Sequence, residues 1–324
     1  MRFAIPYLDE LDAMGVEDFL SKNHTDFAIF AARWYYAAKK GGVPVVPLED
    51  CPRDGPVLVS DYFCFDPNFP DLPPNCLFYS AWAKYIERAA TVAGNAYVVN
   101  HLQPFDPQKM YYHTVLDVIN APGMVVVPLG GMQDYLQPAP FAKTAMIFLD
   151  EPHRFTLGEK DHTLQHVFSY MKAVRICQIL EQRGFKIITF CSHGDPHLPF
   201  KTLSTSRMPY FQLIEGYKSA SLFFCHHQET HGYSVYENLQ LGHPVITFAE
   251  NFNILTTRQF QNGVVLSLYF SDQLCADMIV EFWNTYNEGR SRQIAQESYA
   301  QYSADTFAER LARGLRKLEC YSTT

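Results

Sequence analysis

Short apolar runs alternate with longer segments of helical period along this chain, and the alternation runs through twice. Parallel strands joined by crossover helices look like this in sequence, so the pattern restricts the fold to the α/β class. In the first series, residues 3–7, 43–47, 56–60, 96–100 and 124–128 read as strands, with a weaker one near Leu77. Residues 26–40, 81–93 and 107–120 read as helices; the first carries Lys39 and Lys40 in its last turn and stops at Gly41-Gly42. The second series has strands over 144–150, 186–191, 221–225 and 245–248, with helices over 162–183, 211–219, 234–241, 271–286 and 290–301. Two such series predict two Rossmann-like domains with parallel sheets, 1–143 and 144–303. They join near 137–143, where Pro138 and Pro140 stand, and a last helix over 304–318 returns to the first domain.

A length of 324 residues, 48% hydrophobic and 19% charged, supplies two cores and leaves no room for a large disordered part. The net charge of −8 comes without a basic stripe, which argues against nucleic acid as a partner. The first residues meet acidic ones too early for a signal peptide, and no apolar run is long enough to span a bilayer. A cytoplasmic protein is expected, with room for a peripheral contact at the inner face of the membrane. Eight cysteines show no C-x-x-C pair, and several stand inside apolar runs, as Cys225 does. Buried free thiols explain them better than disulfides or a zinc site. Aromatic residues, 15% of the chain, suit core packing and also stacking platforms for sugars or bases.

The segment 229–245 carries the most chemistry. It follows an apolar strand, turns at Gly232, becomes a helix, stops at Gly242 and re-enters a strand at Val245. A loop of this kind at the carboxyl end of a strand, feeding a helix amino terminus, binds anions through outward N–H groups and the helix dipole. Gly232 allows close approach to a diphosphate, and Ser234 offers a hydroxyl or a helix cap. Glu229 and Glu237 are acceptors for hydroxyl groups rather than phosphate ligands: Glu229 for a sugar, Glu237 for a ribose diol. A solvent-facing helix position is the bland alternative for Glu237, and an ordinary solvated pair is the alternative for Arg154 and Lys160. His226 and His227 beside His231 invite a metal reading, but no cysteine or carboxylate set stands at ligand spacing, so no metal site is assigned.

The Glu-x7-Glu spacing, Gly232 and the Gly242-x-Pro244-Val245 segment resemble the retaining GT-B glycosyltransferases of family four. Thr230 and His231 stand where that family carries a glycine and an aromatic residue. The likeness extends upstream through the helix and strand containing Tyr217 and Ala220, and further to the strand 147–150 with Arg154 and Lys160. It covers about 144–318 and thins over 1–143, where the family's Gly-Gly turn after the first strand is missing.

The resemblance implies the GT-B fold, two Rossmann-like domains facing a central cleft, with the acceptor on the first and the nucleotide sugar on the second. It implies a retaining, hexosyltransferase-type enzyme of the kind used in polysaccharide biosynthesis, with UDP among its candidate nucleotides. Arg154 and Lys160 would neutralise the donor diphosphate, with Glu229 on the donor sugar and Glu237 on the ribose. Gly232, Tyr233, Ser234, His231 and His193 would line the donor site, and His101, after the strand 96–100, would face the donor sugar. Asp61 and Gly130-Gly131 are lesser candidates. The partners implied are a nucleotide-sugar donor and a glycan, lipid-linked or other hydroxyl acceptor; oligomeric state is not legible. No cofactor is expected and, without an Asp-x-Asp motif, no essential divalent metal. Two alternatives stay open: an inverting transferase or nucleotide-sugar epimerase on the same scaffold, and a non-catalytic binding module.

Overall fold

The computed structural model describes residues 2–50, 57–60, 76–80, 97–99, 124–126, 131–138, 141–150, 164–189, 199–202, 208–226, 233–251, 263–303, 307 and 309–313. The chain divides into two compact units, Met1–Met132 together with Tyr302–Thr324, and Gln133–Gln301.

In the first unit, β1 (Arg2–Ile5), β2 (Val45–Pro47), β3 (Val57–Ser60), β4 (Cys76–Ser80), β5 (Tyr97–Val99) and β6 (Met124–Val126) form one sheet in the order β2-β1-β3-β4-β5-β6. All its pairings are parallel, with Phe3 opposite Val45 and Leu58 opposite Leu77. The helix α2 (Asp26–Lys40) has the limits expected of it. The Thr25 hydroxyl caps it by accepting from the Ala28 amide at 3.1 Å, and the chain leaves it at Gly41. Trp34 of α2 meets Phe3 edge-on at 4.7 Å, and Phe307 lies 6.0 Å from Phe3 and 5.9 Å from Trp34. All three rings are fully buried, so Phe307 helps to seal the core over the first strand.

One helix here was not expected. α1 (Leu8–Lys22) runs across Gly15, whose φ of 76° and ψ of 170° interrupt it. The interruption shifts the apolar stripe: Leu8 and Leu11 are buried before it, and Val16, Phe19 and Leu20 after it. Neither half is long enough to show a helical period by itself. The strand expected over 3–7 ends at Ile5, and Tyr7 takes a left-handed conformation (φ 59°) to start α1.

In the second unit, β7 (Met146–Leu149), β8 (Lys186–Thr189), β9 (Lys201–Thr202), β10 (Leu222–Phe224), β11 (Val245–Phe248) and β12 (Val264–Leu266) form a second parallel sheet in the order β12-β11-β10-β7-β8-β9. Counted from its own first strand, this sheet reads 3-2-1-4-5-6, the order of dinucleotide-binding folds. Ile147 through Leu149, Leu222 through Phe224 and all of β11 are buried, as strands covered on both faces must be. The described helices are α3 (Leu164–Gln182), α4 (Tyr210–Ser219), α5 (Tyr233–Gln240), α6 (Asp272–Thr285) and α7 (Glu288–Tyr302). Ile176, Leu180, Ile187, Phe224, Phe248 and Ile279 belong to one core that joins the sheet to α3 and α6. Lys172 of α3, almost wholly buried, pairs with Asp272 at 2.9 Å and ties α3 to the start of α6. A buried cation is tolerated there because the carboxylate and the Phe270 carbonyl both accept from it.

Candidate functional site

Strand order places the site. In the second sheet β7 lies between β8 and β10, so the strand order reverses direction at the β7–β10 pair. Open α/β sheets bind ligands at such a switch point, outside the carboxyl ends of the strands. Asp150 follows β7 there, and Cys225 and His226 follow β10. Asp150 is held in place by its own amide, which donates to the Phe224 carbonyl at 2.9 Å across the pair.

The helix α5 begins beside this point. It starts at Tyr233, one residue earlier than expected, so Ser234 is its second residue and does not occupy the cap position. The Ser234 hydroxyl donates to Asp150 Oδ2 at 3.3 Å and thereby links the carboxyl end of β7 to the amino end of α5. Glu237 lies one turn further on. It is 2% exposed, so the solvent-facing alternative fails, and it accepts a hydrogen bond from the Tyr210 hydroxyl at 2.8 Å. Tyr233, Ser234 and Glu237 share one face of the helix by their i, i+3 and i, i+4 spacing.

The far end of α5 is fixed as firmly. The Asn238 amide donates to the Ser234 carbonyl at 2.9 Å, which turns the Asn238 carbonyl oxygen toward His243 Nδ1, 3.1 Å away. The Asn238 oxygen can only accept, so His243 donates from Nδ1. Burial pushes its pKa down from 6.5 to about 4. The unfolded chain binds this proton from about pH 6.5 and the native chain only near 4, so His243 makes stability fall as pH drops through that window. The expected loss is about 3 kcal/mol between the two values. Urea midpoints measured from pH 7 to 4 should fall less steeply in His243→Gln than in the parent. Equal slopes would show that His243 is not the group responsible.

Next to it, the Gly242 carbonyl accepts from the Tyr286 hydroxyl at 2.8 Å and from Ser291 Oγ at 3.0 Å. These bonds satisfy the carbonyl of the turn that follows α5, from Tyr286 just after α6 and from Ser291 of α7. His226, 1% exposed, packs its ring 5.4 Å from Tyr170 of α3, beneath the switch point.

Of the residues expected in the site, Glu237, Tyr233 and Ser234 are thus brought together at one helix end. Glu229, Arg154, Lys160, His101, Gly232, His231 and His193 lie outside the described residues, as do His227 and Asp61. Gly131 makes a β-bridge to Ser303 in the first unit. Tyr210, Asp150 and Asn238 were not expected. Asp150 could have been found by asking which residue follows the first strand of the second series. Tyr210 could not, since its partner lies 27 residues away in the chain. Among the described residues no group of three or more His, Cys, Asp or Glu could hold a metal ion, and no helix is long and apolar enough to cross a membrane.

No protein-family model matches this chain, and no curated protein does. Solved structures do match it. A sucrose-phosphate synthase from Thermosynechococcus elongatus is 12% identical over 97% of this chain and 80% of its own, with a TM-score of 0.53. A glycosyltransferase from Rickettsia africae is 12% identical over 99% of this chain and 97% of its own, with a TM-score of 0.52. A mutant of S. aureus TarM, in complex with fondaparinux, alpha-GlcNAc-glycerol and UDP, is 14% identical over 87% of this chain, with a TM-score of 0.50. The chain spans 58% of the TarM length. Likeness at this identity speaks for the fold. The α/β class with two Rossmann-like, parallel-sheet units of the GT-B kind is the fold expected from sequence, and the chain has it.

Proposed function

We propose that this chain is a glycosyltransferase that moves a sugar from a nucleotide-diphosphate sugar to a hydroxyl group of a glycan, lipid-linked or other acceptor, with retention of configuration and without an essential divalent metal. The observation that carries the reading is the Ser234–Asp150 hydrogen bond at the switch point of the second sheet, with the buried Glu237 one turn further along the same helix. That point is where an α/β sheet of this order takes a nucleotide. The positive end of α5 faces it and favours a diphosphate. An acidic side chain one turn back suits a neutral diol, which can donate two hydrogen bonds to it.

In this reading Arg154, Lys160 and the amides of 232–234 stabilise the charge that develops on the departing diphosphate, the electrostatic contribution that dominates such chemistry. Glu229 accepts from donor-sugar hydroxyls and Glu237 from the ribose. Tyr233, His231, His193 and Gly232 complete the donor side, and the first unit, with His101, serves the acceptor. The acceptor oxygen bonds to the anomeric carbon as the bond to the phosphate oxygen breaks on the same face. The acceptor proton passes to that phosphate oxygen, so no enzymic nucleophile is needed.

Thermal-shift measurement with UDP, GDP, ADP, CDP and their sugars tests the reading, with UDP first because TarM was crystallised with it. One nucleoside diphosphate at a hundredfold excess over its Kd should raise the melting temperature by about 5–10 °C. The rise should vanish in Lys160→Ala and Glu237→Ala. No shift with any of them would overturn the reading in favour of a binding module. Turnover should persist in excess chelator, and loss restored by manganese would overturn metal independence.

A further inference from the structure

Of the seven large apolar side chains exposed among the described residues, five are drawn from one place in the second unit. Phe168 and Met171, 68% and 48% exposed, stand on the first turns of α3. Tyr269, Phe270 and Leu274, 90%, 40% and 45% exposed, stand where β12 passes into α6. The two groups are neighbours. The buried Lys172 donates to the Phe270 carbonyl and to Asp272, and Arg175 Nε reaches Asp272 Oδ2 at 2.6 Å. Phe168, Met171 and Arg175 follow one another at i, i+3 and i+7, so the two apolar side chains share the flank of α3 that carries this contact.

The exposed turn is ordered. The Glu250 carboxylate accepts from the Ser267 hydroxyl at 2.7 Å and from the Leu268 amide at 3.1 Å. Ser267 Oγ accepts from the Tyr269 amide at 3.2 Å, and Ser271 caps α6 by accepting from the Leu274 amide at 3.1 Å. A surface held in this way loses little freedom when something covers it.

Size and charge say what covers it. The five exposures together amount to about three whole side chains, or roughly 500–600 Å² of apolar surface. That is the upper end of what a monomer leaves to water. An interface of standard size takes about 800 Å² from each partner, and between identical subunits about two-thirds of it is apolar, which matches this area. Each Lys and Arg of α3 and of the turn after it is paired with an aspartate of α6: Lys172 and Arg175 with Asp272, and Arg183 with Asp277. Around the apolar residues the charges therefore cancel. A two-fold interface sets a patch against its own image and needs that cancellation. An anionic lipid surface would instead call for unpaired cations.

We infer that this patch is the face through which two copies of the chain pair about a two-fold axis. Phe168 and Tyr269, the most exposed of the five, carry most of the contact.

The experiment is sedimentation velocity of the full chain from about 1 to 100 µM, the parent beside Phe168→Glu/Tyr269→Glu. The parent should pass from monomer to dimer within that range. The double variant brings two charges per copy into an apolar contact, should weaken pairing by about a hundredfold or more, and should stay monomeric throughout. Its melting temperature at the lowest concentration should match the parent's, since both positions face water. Should it not, Tyr269→Ser is read in its place, with an expected weakening of about tenfold. A parent that stays monomeric, or variants that pair as the parent does, overturns the inference. If the monomeric parent co-sediments with phosphatidylcholine–phosphatidylglycerol vesicles and the double variant does not, the patch is a lipid contact instead.

Discussion

Gly242→Ala is expected to lower the melting temperature by about 10 °C, corresponding to a loss of roughly 3–5 kcal/mol in a unit of this size. Two penalties add at this position. Gly242 has φ +84°, a conformation that costs an alanine about 1–2 kcal/mol because its Cβ crowds the following carbonyl. The new Cβ would also lie 2.5 Å from Ser291 Oγ and 2.7 Å from the Ser291 backbone oxygen. A side chain could swing aside, but a backbone oxygen cannot move without displacing α7. Displacing α7 would also strain the Ser291 hydroxyl's bond to the Gly242 carbonyl. Gly184 is the control. It too has positive φ, at 90°, but nothing lies within 4 Å of its would-be Cβ, so Gly184→Ala should show only the conformational cost. Thermal melts of the two variants side by side separate strain from collision. If both fall by the same small amount, the close approach of α5 to α7 is not what makes Gly242 necessary.

The same glycine shows where sequence reading reaches its limit. Gly242 is legible as a helix stop because the signal is local: an apolar helix before it, then Pro244 and a strand. Its collision partner Ser291 is 49 residues away, and no spacing rule connects them. The elements divide along that line. The limits of α2 and β11 follow from Thr25, Gly41 and the run Val245–Phe248, all local cues. α1 escapes because Gly15 breaks its period, and β12 (Val264–Leu266) was not read from the sequence either. The order of the strands depends on non-local pairing, yet it is this order that turns Asp150 from a residue after a strand into one side of a switch point. Sequence named Ser234 and Glu237 from the helix start and their spacing, and the structure adds what they touch: Asp150 for one, Tyr210 for the other.

Glu237→Gln is expected to weaken nucleoside diphosphate binding by about two orders of magnitude and to leave the fold intact. The amide has nearly the volume of the carboxylate, and its oxygen can still accept from the Tyr210 hydroxyl, so the packing between α4 and α5 survives. What is lost is the charge. Hydrogen bonds to a charged acceptor contribute about 1.5–3 kcal/mol each, against about 1 for neutral pairs, and a ribose diol makes two of them. The difference sums to roughly 1–4 kcal/mol, with a central value of about 2.5 kcal/mol that corresponds to a factor of about 70 in Kd. Glu237→Ala goes further, because it removes the acceptor and also leaves the buried Tyr210 phenol without the bond made here. It should therefore cost stability as well as affinity, which makes the glutamine variant the cleaner probe. The decisive comparison is the titration of parent and Glu237→Gln with the nucleoside diphosphate and with inorganic pyrophosphate. Pyrophosphate has no ribose, so its affinity should be unchanged or somewhat higher once a nearby negative charge is gone. If both ligands weaken equally, Glu237 supports the helix end as a whole and does not read the ribose. If neither weakens, the nucleotide is bound without Glu237, and the site must be sought away from the amino end of α5.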